Sequence, residues 1–138
     1  MPTIKRFEEI EAWQTARDLT KTIYAVTEQG KFARDFGLRD QTRRASVSVM
    51  SNIAEGFESR TQQQFIRYLS IAKASAGEVR SQLYVSRDLN YLAEEQFTDL
   101  FQLAEKASRQ IANCLLLTYL PDLINRLGAP WRINDPII

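Results

Sequence analysis

Apolar residues recur every three or four positions along four long stretches of the chain, and this period predicts four amphipathic α-helices. We expect these helices over residues 8–29, 38–55, 61–89 and 95–120. The fourth carries the cleanest apolar stripe, and Pro121 is expected to end or kink it. No stretch shows convincing strand alternation, so the pattern predicts an all-α protein.

Glycines and capping residues mark the expected helix ends. Gly30 is expected to end the first helix, and a loop should follow over residues 30–37. Gly56 is expected to adopt the left-handed conformation that closes the second helix, with Phe57 folding back on the last turn. The third helix should begin at two overlapping capping boxes, Ser59 with Gln62 and Thr61 with Gln64.

Long amphipathic helices joined by short loops predict an antiparallel up-down four-helix bundle, because each apolar stripe must be buried against a neighbour. The chain has 138 residues, of which 44% are hydrophobic, enough for one core. We therefore expect a single bundle domain over residues 1–127. The segment GAPWRINDPII, residues 128–138, is expected to be an extended apolar tail.

The third helix carries a second face of small side chains, roughly opposite its main apolar stripe. Leu115, Leu116 and Leu117 also point in three directions around the fourth helix, so they cannot all face one core. The tail either folds back over its own bundle or docks on a neighbouring subunit. We predict a ring-like homo-oligomer with an interface at Ser70, Ala74, Gly77, Ser81 and Trp131.

The composition excludes most common catalytic machinery. The chain has no histidine and one cysteine, Cys114, so it cannot build a His-containing triad or a Cys/His metal site. Its five glycines are isolated and form no phosphate-binding loop. We expect no metal, no cofactor and no enzymatic activity.

A polar cluster near the end of the second helix is a candidate catalytic site. Asn52, Glu55 and Glu58 lie close together there, and a carboxylate beside an amide could orient a water molecule. The alternative is that both carboxylates are solvated or paired with Arg60 while Asn52 satisfies the helix end. We expect the structural role.

Basic residues concentrate in two windows although the whole chain is nearly neutral, with 18 Lys and Arg against 17 Asp and Glu. Residues 31–44 and 60–87 hold ten basic side chains, eight of them arginine, which suits bidentate contacts with phosphate. The alternative is that these rows are solvated helix faces. The predicted nucleic-acid-binding residues are Arg39, Arg43, Arg44, Arg60 and Arg67.

The sequence was searched for apolar segments that would direct the chain to or through a membrane. The residues after Met1 lack the apolar run of a secretion signal, so we expect a cytoplasmic protein. The longest uncharged run, residues 110–121, falls short of the roughly 20 apolar residues that a membrane span needs. We therefore expect no membrane partner.

Three segments carry a family resemblance: FEEIEAWQTARDLTKTIYAVT, LRDQTRRASVSVMSNIAEGFES and FIRYLSIAKASAGEVRSQLYVSRDLNYL. Over roughly residues 7–120 the chain resembles the bacterial four-helix-bundle proteins known as the 23S rRNA intervening-sequence protein family, most specifically at SNIAEG and FIRYLSIA. Members are similar in fold to the accessory protein of diversity-generating retroelements, a pentameric ring with a positive surface that binds nucleic acid and a reverse transcriptase. The resemblance implies a pentamer and no established enzymatic activity.

Two functions follow from this sequence as hypotheses. The first is a non-enzymatic oligomeric bundle that binds RNA or a nucleoprotein through the arginines. The second is a protein-interaction or structural ring with no nucleic-acid role. An enzyme that uses Glu55 or Glu58 is a third and weaker hypothesis.

Overall fold

The computed structural model describes residues 4–119 and is entirely helical over that range, with no strand among these residues. A 3₁₀ turn at Phe7–Glu9 precedes five α-helices. They are α1 (Glu11–Thr27), α2 (Gly30–Arg34), α3 (Phe36–Glu58), α4 (Gln62–Asp88) and α5 (Glu94–Tyr119). No helix within 4–119 is long and apolar enough to cross a membrane. The predicted tail, residues 128–138 including Trp131, lies outside the described residues.

The four long helices form a helical bundle. Helix α3 packs against α1 and α4, and α5 also packs against α1 and α4, so the four enclose one core. The core has two clusters of buried side chains, one toward each end of the bundle. The first is centred on Ile53, Phe57, Phe65 and Leu69, and the second on Ile23, Phe32, Leu83 and Leu100.

The sequence was right about four long helices and wrong about the start of the first one. The predicted helix began near Glu8, whereas α1 begins at Glu11 after the 3₁₀ turn. The Glu9 carboxylate accepts the backbone N–H groups of Lys5 (2.7 Å) and Arg6 (3.0 Å), which closes this separate turn. These two hydrogen bonds, that from Lys5 first, lower the pKa of Glu9 below its usual value.

The segment predicted as a loop over residues 30–37 instead contains α2 and the first turn of α3. Gly30 does not end α1, which stops at Thr27; it begins α2 with a φ of 55°. This left-handed residue turns the chain so that Phe32 enters the core, where it is fully buried. The burial of one aromatic ring therefore explains the extra helix.

Gly56 does not close the second predicted helix, because α3 continues through it to Glu58. A Cβ atom at this position would lie 2.8 Å from Tyr68 Cβ and 3.1 Å from Phe65 Cδ1. The glycine therefore serves a close approach of α3 and α4. The left-handed residue of the connection is Arg60, with a φ of 61°.

Of the two predicted capping boxes, only the one at Thr61 has a counterpart at the start of α4. The Thr61 hydroxyl accepts the backbone N–H of Gln64 at 3.2 Å. The Ser59 hydroxyl instead donates to the Gly56 carbonyl at 2.6 Å, and the Gln62 amide donates to the Thr118 carbonyl at 2.9 Å. Ser59 and Gln62 therefore satisfy the end of α3 and a carbonyl of α5 rather than each other.

Helix α4 has the two faces that its sequence predicted. The main stripe is buried from Phe65 to Leu83, apart from the half-buried Tyr68. On the other side Ser70, Ala74 and Ser81 are exposed and Gly77 is half-buried. Among residues 4–119, no side chain therefore covers this face of small residues.

Short polar side chains join α3 and α4 near the middle of the bundle. The hydroxyl oxygens of Ser48 and Ser75 lie 2.9 Å apart. The Asn52 amide donates to the Ser48 carbonyl (2.8 Å) and hydroxyl (2.9 Å). Ser75 is buried, so this Ser48–Ser75–Asn52 contact satisfies a hydroxyl that water does not reach.

Candidate nucleic-acid interface

Arg39 lies in the first turn of α3 and is engaged by its neighbours. Its Nε lies 2.9 Å from Asp40 Oδ1, and its Nη1 donates to the Ala33 carbonyl at 3.1 Å. Its guanidinium also lies 4.8 Å from the centre of the Phe36 ring. Because Asp40 offsets its charge, Arg39 contributes less to a positive surface than the sequence suggests.

Arg43 lies one turn further along α3 and links it to α1. Its Nε donates to the Thr27 hydroxyl at 2.8 Å, and that hydroxyl donates onward to the Ile23 carbonyl at 2.7 Å. The guanidinium lies 4.6 Å from the centre of the Tyr24 ring. Arg43 carries no carboxylate partner among residues 4–119, so it keeps its full charge while holding two helices together.

Arg44, Arg60 and Arg67 are the free members of the predicted set. All three are exposed, and within the described range their side chains have no hydrogen-bond or ion-pair partner. Unpaired guanidinium groups keep their donors available for phosphate oxygens. These three side chains are therefore the best placed to contact a polyanion.

The structure does not gather the five arginines into one patch. Arg43 and Arg60 are separated by 17 positions along α3 and its end, or about 25 Å at the helical rise of about 1.5 Å per residue. Arg67 belongs with Arg60, because the N-terminal turns of α4 pack beside Gly56 at the end of α3. A ligand that contacts all the free arginines must therefore extend along the α3–α4 face.

Sequence reasoning missed the aromatic partners of the basic side chains. Arg87 lies 5.3 Å from the centre of the Tyr84 ring and 4.3 Å from that of Phe97. The spacing of three residues between Tyr84 and Arg87 on one helix is a signal that the sequence contains. The pairs Arg43 with Tyr24 and Arg87 with Phe97 join different helices, so only the fold could reveal them.

The polar cluster considered for catalysis is dispersed. Asn52 is engaged in the Ser48–Ser75–Asn52 contact, whereas Glu55 and Glu58 are exposed to solvent. Burial, and to a lesser extent the nearby Glu11 carboxylate, raises the pKa of the Cys114 thiol to about 12. That thiol is therefore protonated at neutral pH and is a poor nucleophile. Within residues 4–119 no group of His, Cys, Asp or Glu side chains could hold a metal ion.

Comparison with known proteins identifies the family of the chain. A search of curated proteins found no match to the chain. The family model described as 23S rRNA-intervening sequence protein matches residues 8–113, which span most of the bundle. The chain therefore belongs to the 23S rRNA-intervening sequence protein family.

Proposed function

We propose that this protein is a non-enzymatic, cytoplasmic homo-oligomer that binds RNA or a nucleoprotein through the arginines of its α3–α4 face. The observation that carries the proposal is that Arg44, Arg60 and Arg67 are exposed and unpaired among residues 4–119.

The proposed bundle is antiparallel and up-down. Three pairs of contacts support this topology, since residue numbers rise on one helix as they fall on the next. Between α3 and α4 they are Gly56 with Phe65 and Ser48 with Ser75. Between α1 and α3 they are Thr20 with Ser46 and Thr27 with Arg43. Between α4 and α5 they are Gln62 with Thr118 and Lys73 with Ser108. In this arrangement α3 and α4 are neighbours along their lengths, so their exposed arginines lie on one side of the bundle.

Binding of a structured RNA, followed by fluorescence anisotropy at rising salt, tests the nucleic-acid role. The affinity of the unaltered protein is expected to fall steeply with salt, because phosphate contacts release counterions. The triple variant R44M/R60M/R67M is expected to bind more weakly, with a logarithmic salt slope shallower by about two.

The matched control removes three exposed positive charges from α1 and α5, on the other side of the bundle, in the variant R17M/K21M/K106M. This variant is expected to keep most of the affinity and the salt slope of the unaltered protein. No RNA binding at low salt, or equal losses in the two triple variants, would remove the proposed interface.

We further propose that subunits associate through the strip of small residues on α4, in a ring of five subunits as the family resemblance implies. Exposed apolar side chains border the small residues there: Ile71 and Val85 are 40% and 44% exposed. A smooth strip edged by apolar groups lets a second helix approach closely and bury them. This face also supports the alternative function, a protein-interaction or structural ring without a nucleic-acid role.

Light scattering tests the assembly. The unaltered chain has a mass of 15.9 kDa and is expected to run as a multiple of it. Ala74→Glu is expected to shift the particle toward 15.9 kDa, because it would bury a charge in the interface. Ala25→Glu, at another exposed helical alanine, in α1, is the control and should leave the assembly intact. A monomeric unaltered protein would refute the oligomer.

A further inference from the structure

A second basic site lies away from the free arginines, between α4 and α5. A cleft of about 230 Å³ is lined by Lys73, Arg80, Glu105, Ser108, Arg109 and Ala112. Arg109 belongs to α5 and lies outside the two basic windows, residues 31–44 and 60–87, that the sequence analysis identified. The fold brings it beside Lys73 and Arg80.

The side chains that line the cleft carry more positive than negative charge. Three cationic side chains face one carboxylate, Glu105, which gives a net charge of about +2 at neutral pH. No ion pair forms among these four groups, since the only two within the described part of the chain are elsewhere. Like charges brought together without a counterion repel one another, so the cleft favours an anion.

Two buried polar groups of the cleft also have hydrogen-bonding capacity to spare. Arg80 Nε is buried and has no acceptor among residues 4–119. Lys73 Nζ lies 3.3 Å from the Ser108 hydroxyl oxygen, to which it donates. That leaves the Ser108 hydroxyl hydrogen free to donate, and Ser108 itself is only 7% exposed. A buried donor without an acceptor is uncommon in folded proteins.

We propose that this cleft binds a phosphate group with two negative charges, either free or as a phosphate monoester. A phosphate monoester carries a charge of about −1.5 to −2 near pH 7, which matches the net charge of the cleft. Its oxygens would accept from the Arg80 guanidinium, the Lys73 ammonium and the Ser108 hydroxyl. The volume lies below the roughly 300 Å³ at which pockets for larger ligands begin, so a small anion fits best.

The proposal does not depend on RNA binding by the α3–α4 face, because the two sites share no residue. Isothermal titration with inorganic phosphate at constant ionic strength tests it. We expect saturable binding of one phosphate per chain, with a Kd on the order of 1 mM or lower. Arg80→Met and Lys73→Met are each expected to weaken this binding about tenfold or more. Lys106→Met removes an exposed α5 charge outside the cleft and should leave it unchanged.

Glu105→Gln provides a gain-of-affinity test that misfolding cannot imitate. It removes the carboxylate that opposes the anion and is expected to tighten phosphate binding about fivefold. Absence of saturable binding in the unaltered protein, or the same affinity in the Arg80→Met and Lys106→Met variants, would overturn the proposal. Unchanged or weaker binding by the Glu105→Gln variant would also contradict it.

The source of the phosphate is distinguished with two RNA oligonucleotides that differ only in a 5′-phosphate or 5′-hydroxyl end. Tighter binding of the phosphorylated oligonucleotide, lost in Arg80→Met, would assign the anion to an RNA end. Equal binding of both, with phosphate binding retained, would assign it to a small phosphate ester. The R44M/R60M/R67M variant should keep phosphate binding, so failure of the RNA interface and failure of this cleft are separable.

Discussion

Phe32→Ala is expected to lower the free energy of unfolding by about 3–5 kcal/mol. The Phe32 ring is fully buried in the second core cluster, and its centre lies 5.4 Å from that of the Tyr91 ring. Truncation would remove this contact and leave a cavity that the short helix α2 cannot fill by itself. Urea denaturation at a fixed protein concentration, followed by circular dichroism, measures the loss.

The control for this variant is four residues away. Phe36 is 63% exposed, and the guanidinium of Arg39 lies 4.8 Å from the centre of its ring. Phe36→Ala is therefore expected to cost less than about 1 kcal/mol, the usual size of an exposed cation–π contact. Equal losses of unfolding free energy in the two variants would contradict the burial of Phe32 in the core.

Gly56→Ala is expected to destabilise the protein by about 1–3 kcal/mol, although alanine is the better helix former. The added methyl group would meet Tyr68 Cβ at 2.8 Å and Phe65 Cδ1 at 3.1 Å. Tyr68 Cβ is bonded directly to the backbone of α4, so relief of the overlap requires the two helices to separate. The same denaturation measurement reports the effect.

Gly37→Ala is the matched control, because it adds the same methyl group to the same helix. The nearest atom to its Cβ would be Asp35 Oδ1 at 3.9 Å, an ordinary contact. This variant is expected to be unchanged or more stable by up to about 1 kcal/mol. If Gly56→Ala proved as stable as Gly37→Ala, the close approach of α3 and α4 would be refuted.

The long helices could be predicted because their apolar period repeats over many turns. On α4, for example, the stripe from Phe65 to Leu83 is the buried face. The same periodicity does not find α2, which has five residues and too few turns for a repeat. Its presence depends on the burial of Phe32, a contact with distant parts of the chain.

Glycine was the least reliable local signal, because it serves two different physical purposes. The sequence predicts a left-handed helix end at Gly56, but this residue lies inside α3 and permits a close approach. The left-handed position fell instead on Arg60, a residue that rarely adopts it. Local sequence cannot distinguish these uses, since the second depends on a neighbouring helix.

The sequence could predict which residues form the candidate interface, but it could not predict their contacts or their positions relative to one another. The sequence identified the basic residues, but it could not show that Arg39 contacts Asp40 while Arg44 stays free. Nor could it place Arg109 beside Lys73 and Arg80 in one cleft. Charge neutralisation and convergence both depend on side-chain positions that follow from packing between helices.

The Ser48–Ser75–Asn52 contact has a consequence for how α3 and α4 align. A slip of one helix along the other by a single turn, about 5.4 Å, would carry the two hydroxyl groups apart. Ser75 would then remain shielded from water without a partner, at a cost of about 1–3 kcal/mol. The hydroxyl pair therefore favours the same longitudinal alignment as the close approach at Gly56.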